Sequence, residues 1–182
     1  MLLHLTFSQS WLPENEPAFH PGVVHIELGD GILRFQADLN QPKVGTKATA
    51  HQQRLWELGD VVELFVQQVD EVGYYEYQIA PNGMMLALHY PDQNAVAAVR
   101  RGERKIEEYL SAPPLSAHAS ETSTGWNASI TIPVMGQQGD LIRVSCGRYE
   151  YGTGVIPIIS STSPHPVRDF HRPQEWQEMM LL

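Results

Sequence analysis

The sequence predicts an all-β fold, a sandwich or a barrel of short antiparallel strands. Three observations carry that expectation. Apolar residues alternate with period two in several short stretches. Thirteen Pro and fourteen Gly divide the 182 residues into short pieces, which suits strands and turns better than long helices. Tight-turn signals, Gly29-Asp30-Gly31 and Pro81-Asn82-Gly83, stand between apolar runs, where Asn, Asp and Gly tolerate positive φ.

The elements follow in order. Residues 22–28 place Val24, Ile26 and Leu28 on one side, and Gly29-Asp30-Gly31 turns the chain into 32–39. In 61–67, Val62, Leu64 and Val66 share one face; Val61, Glu63 and Phe65 share the other. Residues 73–80 form the next strand, and Pro81-Asn82-Gly83 returns the chain through Met84 to Tyr90. The charged stretch from Asp92 to Pro114 is expected to be a crossover or an excursion across the sandwich edge. Within it, Arg104 to Leu110 is expected to form a short helix that Pro113-Pro114 ends. Strands resume at 125–133, with Trp126, Ala128, Ile130 and Ile132 on one face, and at 141–150. A second short helical piece is expected near the C-terminus. The length suits a single domain over residues 1–182, and 42% hydrophobic residues suffice for a two-layer core.

The formal net charge is -9. The densest cationic patch, Arg100-Arg101-Gly102-Glu103-Arg104-Lys105, is interrupted and followed by Glu107 and Glu108. Phosphate backbones and anionic membranes both need concentrated positive surface, so neither nucleic acid nor membrane is an expected partner. The single cysteine, Cys146, excludes an internal disulfide and a Cys-based zinc site. The first residues lack a basic region and a full apolar stretch, so no signal peptide is recognised. The cytoplasm is then the default expectation, and the periplasm or the exterior the alternative if a leader has been removed.

Several motifs, in order, resemble those of one family. Leu55-Trp56-Glu57-Leu58-Gly59-Asp60-Val61-Val62-Glu63-Leu64-Phe65 resembles the Trp-to-Glu strand of family-9 carbohydrate-binding modules and their DOMON-like relatives. Tyr74-Tyr75-Glu76-Tyr77 with Pro81-Asn82-Gly83 is similar to the family's next hairpin. Gly125-Trp126-Asn127-Ala128 with Ile132-Pro133, then Arg143 through Arg148, then Pro164 and Phe170-His171-Arg172-Pro173, resemble its later motifs. The likeness covers roughly residues 20 to 180. It implies a two-sheet antiparallel β-sandwich with one or two short helices. It also implies a noncatalytic domain that recognises a mono- or oligosaccharide on a concave sheet or pocket. Because the superfamily carries sugars in some members and haem in others, a domain for haem or another small ligand is the alternative. An interaction module without a sugar site is a third. The sequence departs from the family at Thr162, where sugar-binding members place a second tryptophan before the Ser-Pro pair.

The candidate ligand residues are Trp56, Glu63 and Arg148, with Tyr75, Tyr77 and His171 nearby. An aromatic at a strand mouth can stack on the apolar face of a pyranose; equally, Trp56 can cap the core. Glu63 lies mid-strand between Val61 and Phe65, where a carboxylate is costly unless wet or paired. Arg148, on another strand, is the natural partner. The pair would either bind vicinal hydroxyls or act structurally.

Other chemistries find less support. His165, Asp169 and His171 fit no trusted zinc spacing, so no metal centre is expected; a structural calcium in an acidic loop stays open. Asp60 and Glu63 on one strand imply no glycosidase pair. Met84, Met85 and His89 could ligate haem, but strand methionines are more often core filler, so no cofactor is expected. Nucleophile elbows, phosphate loops and His-Glu-x-x-His are absent from the sequence.

Overall fold

The structure is a computed structural model that describes residues 1–68, 70–152 and 154–181. The chain runs through β1 (Leu2–Thr6), β2 (Gly22–Gly29), β3 (Ile32–Asn40), β4 (Val61–Gln68), β5 (Tyr74–Ile79) and β6 (Met85–Tyr90). It continues through α1 (Gln93–Arg100), β7 (Ser116–Thr122), β8 (Gly125–Pro133), β9 (Leu141–Glu150), β10 (Ile158–Ser161) and β11 (Gln177–Met180). Two antiparallel sheets result. The first has the order β1-β2-β3-β8-β7, and the second β10-β9-β4-β5-β6. β11 and β10 both pair with β9, the former along Leu141–Val144 and the latter along Gly147–Glu150. No helix among the described residues is long and apolar enough to cross a membrane.

The alternating strands meet face to face. Val24, Ile26 and Leu28 of β2 and Leu33, Phe35 and Leu39 of β3 pack against Val62, Leu64 and Val66 of β4 and Val144 of β9. Asp30 (φ 54°) and Gly31 (φ 70°) occupy the left-handed region that a two-residue hairpin turn requires. Gly125 opens β8 at φ 157°, and a Cβ there would stand 1.9 Å from the Leu39 carbonyl oxygen. Only glycine lets β8 enter so close beside β3.

The stretch from Asp92 to Pro114 does cross over, leaving the second sheet at β6 and entering the first at β7. Its helix lies elsewhere than expected. The α-helix is α1, at Gln93–Arg100; the expected helix at Arg104–Leu110 is reduced to a 3-10 turn, Ile106–Tyr109. Asp92 caps α1 by accepting the Ala95 amide at 2.8 Å, and the run Ala-Val-Ala-Ala propagates it. Gly102 (φ 72°) follows the helix end, and Leu110 is drawn into a bridge with Leu88. Near the C-terminus the helical piece is likewise a 3-10 turn, Pro173–Glu175.

The outer face of the second sheet is covered as well. Val61, Phe65, Tyr74, Leu88 and Tyr90 on that face pack against Leu55, Val96, Phe170 and Trp176. The second sheet therefore lies between the main core and a smaller aromatic cluster, and the candidate site belongs to the latter.

Candidate functional site

β4 has two faces. Val62 and Leu64 enter the main core, whereas Val61, Glu63 and Phe65 face outward beneath α1 and the closing segment, residues 162–176 between β10 and β11. Glu63, only 3% exposed, lines a cavity of about 130 Å³. On one side β5 sets Gln78 opposite Glu63 and Glu76 opposite Phe65. On the other, β9 sets Gly147 opposite Glu63 and Tyr149 opposite Val61. Tyr90 of β6, Val96, Val99 and Arg100 of α1, Trp56 of the 3-10 turn Leu55–Glu57, and His171 complete the lining. Gly147 makes room for this floor: a Cβ there would meet the Phe170 ring at 2.6 Å and Glu63 Oε2 at 2.9 Å.

The floor is wired through one amide. Gln78 Nε2 donates to Glu63 Oε1 at 2.9 Å and also to Glu76 Oε1. Glu76 Oε2 and Gln78 Oε1 are buried with no hydrogen-bond partner. Burial and then the neighbouring Glu76 charge raise the Glu63 carboxyl well above the usual carboxylate range. Burial likewise raises Glu76 to about 7, against the lowering effect of the Gln78 hydrogen bond and Arg100. Arg100 is committed elsewhere, donating to both Asp169 oxygens at 2.8 and 3.2 Å. His171 Nδ1 lies 2.7 Å from the Tyr74 hydroxyl, and its Nε2 3.9 Å from Glu76 Oε2. Burial, then the Arg100 charge, lowers His171 to about 3, so the ring is neutral at physiological pH.

Trp56, Glu63 and His171 thus share one cavity, and three other expected ligand residues lie outside it. Arg148 pairs in register with Val62, not Glu63, and so faces the main core. There it donates to the carbonyls of His20 and Asn40 at 2.8 Å and to Gln41 Oε1 at 2.9 Å, with Glu150 at 3.2 Å. The expected Glu63–Arg148 pair does not form. Tyr75 and Tyr77, opposite Val66 and Leu64, also take the inner face. They stack on one another, and Tyr75 stacks on His89 at 4.5 Å, beside a separate groove.

The remaining candidates are structural. Asp60 is fully buried and accepts from Gln41, Gly45, Tyr151 and Gly152. His165 Nδ1 contacts Glu175 Oε2 at 2.7 Å. Among the described residues, no three His, Cys, Asp or Glu side chains gather as metal ligands. Met85 packs in the main core. Thr162, at the position of the second clamp tryptophan, accepts the Cys146 amide.

Sequence reasoning missed Glu76, Gln78, Tyr90, Arg100 and Tyr149. The parity argument that singled out Glu63 applies equally to Glu76 and Gln78, since Tyr74, Glu76 and Gln78 share a face. Tyr149 is one residue from Arg148, on the correct strand but with the opposite parity.

No family model matches the sequence, and no curated protein matches it. Solved structures do. A family-9 carbohydrate-binding module from Caldicellulosiruptor kristjanssonii in complex with cellotriose aligns with a TM-score of 0.61 at 9% identity, over 87% of this chain and 73% of the other. This chain has a family-9 carbohydrate-binding-module fold. A family-9 module of the same organism in complex with glucose aligns at 0.60 and 10% identity, over 91% and 80%. A candidate carbohydrate-binding protein from Bacteroides uniformis aligns at 0.71 and 16% identity, over 98% of this chain and 86% of that one. Against this family-9 fold, Trp56 and Glu63 stand on the motif that prompted the resemblance, at the cavity.

Proposed function

We propose that the chain is a noncatalytic carbohydrate-binding domain whose cavity above Glu63 receives one sugar residue, free or at the end of an oligosaccharide. One observation carries this reading. An aromatic lining of Trp56, Tyr90 and Tyr149 adjoins buried acceptors, Glu76 Oε2 and Gln78 Oε1, that have no partner within the protein. A pyranose matches both: its C–H face stacks on aromatic rings, and its hydroxyls donate to the acceptors. The cavity, about 130 Å³, is small beside the pockets of drug-sized ligands, which favours a single ring. The fold neighbours in complex with glucose and cellotriose support a sugar over other ligands.

The carboxyl arrangement supports binding without catalysis. Glycosidase carboxyls flank a scissile bond at defined separations. Glu63 and Glu76 instead stand side by side on one sheet face beneath a shared amide. Isothermal titration with glucose, cellobiose and cellotriose tests the reading. Saturable binding of at least one sugar is expected, with the oligosaccharides intact after prolonged incubation. Trp56→Ala should weaken binding roughly tenfold or more, about 1.4 kcal/mol. Absence of binding to any sugar, or release of glucose, would overturn it.

A further inference from the structure

The floor of the Glu63 cavity presents acceptors without donors. Glu63 and Glu76 are each 3% exposed, and both lean on the Gln78 amide nitrogen, whose two hydrogens are thereby used. Glu76 Oε2 and Gln78 Oε1 remain unpartnered on cavity-lining residues. No neighbouring element supplies a free cation among the described residues that line the cavity. From α1, Arg100 is held by both oxygens of Asp169. From the closing segment, His171 is neutral and turned by its Nδ1 to Tyr74. From β6 and β9, the buried Tyr90 and partly buried Tyr149 phenols are both raised by desolvation and stay protonated. Arg148 of β9 lies on the far side of the sheet.

We propose, building on the sugar-binding reading, that the cavity selects a sugar with a free amino group, a hexosamine whose ammonium lies over Glu63, Glu76 and Gln78 Oε1. An ammonium brings three donors and a positive charge to a floor whose unpartnered atoms are acceptors and whose two carboxyls have no cation set against them. A neutral sugar brings donors but no cation, so the two carboxyls keep their protons. An N-acetylated sugar replaces the cation with a neutral amide. A uronic acid adds a further negative charge. The high proton affinity of Glu63 and Glu76 has the same origin, because a proton is the cation the site takes when no other is present.

Titration of the wild-type protein near neutral pH with glucosamine, glucose, N-acetylglucosamine and glucuronic acid tests this. Glucosamine should bind on the order of tenfold tighter than glucose, and glucuronic acid weakest. In Glu76→Gln, the ratio of glucosamine to glucose affinity should fall toward unity. If that variant does not fold, the wild-type ratio gives the same answer. It should shrink as pH falls from about 7 toward about 5, where the carboxyls hold their own protons. Glucose binding as tightly as glucosamine, or a ratio indifferent to pH, overturns the amine selectivity and leaves sugar binding standing. Failure of all four sugars to bind overturns the sugar-binding reading itself.

Discussion

Glu76 keeps its proton to about pH 7, whereas an unfolded chain releases it near 4.5. Between those values the native state holds more protons than the unfolded one. The contribution of Glu76 is therefore fully present below 4.5 and is lost as pH rises to 7. His171 acts oppositely. Its pKa falls from 6.5 to about 3, so its contribution is present above 6.5 and is lost as pH falls toward 3. The two trends offset each other in wild-type melting curves. Comparison with Glu76→Gln separates them: the variant should gain stability relative to wild type as pH rises through this window, by up to about 3 kcal/mol. A constant gap in chemical-denaturation free energies across the window would mean that Glu76 titrates normally. At this scale the sequence was half legible. A carboxylate among Val61, Phe65 and their neighbours announced a special face. Its partner could not be read, because a strand's register is set by pairing, and one residue separates Tyr149 on Glu63's side from Arg148 on the other.

α1 is the short element that roofs the cavity, contributing Val96, Val99 and Arg100. Eight residues are too few to persist alone, so the helix depends on its packing and on the Asp92 cap. Asp92→Ala should cost about 1 kcal/mol in urea unfolding and also weaken ligand binding, because the short helix it caps carries one wall of the site through Val96, Val99 and Arg100. A loss of stability with unchanged affinity would show that the roof is not needed. The Arg100–Asp169 pair, with the Arg100 side chain half exposed, contributes little to stability and serves chiefly to fix the roof to the closing segment. The strands with clean alternation were legible in sequence, as were both hairpin turns. β1, β7, β10 and β11 were not, being short or polar strands whose pairing comes from their neighbours. The helix was misplaced for a related reason: the charged run Glu103–Glu108 has helical composition, but Gly102 and the Leu88 bridge bound it too closely.

Across the whole molecule, Arg148 joins the two sheets. From β9 it reaches the carbonyls of His20 and Asn40, which flank the entry to β2 and the end of β3. It thereby satisfies backbone groups of the facing layer from within the core. Arg148→Met should cost about 3–5 kcal/mol, since it removes the cation beside the buried Glu150 and the donor to the His20 and Asn40 carbonyls and to Gln41. Sugar affinity of the protein that remains folded should not change. Retained stability with lost binding would instead return Arg148 to the site. The sandwich itself was legible because its strands repeat one simple pattern. Which sheet face carried the site was not, because both faces of β4 are buried and therefore read alike in apolar content.

The placement of Trp56 has an optical consequence. Of the four tryptophans, Trp126 is buried and donates to Gln41, and Trp176 is buried and donates to the Phe170 carbonyl. Trp11 packs beside Phe170. Trp56 alone among them lines the cavity. Three indoles thus set a constant background of emission, and the fourth stands where an incoming molecule would displace its solvent. The protein carries its own single-position fluorophore for occupancy of that cavity, with no label attached.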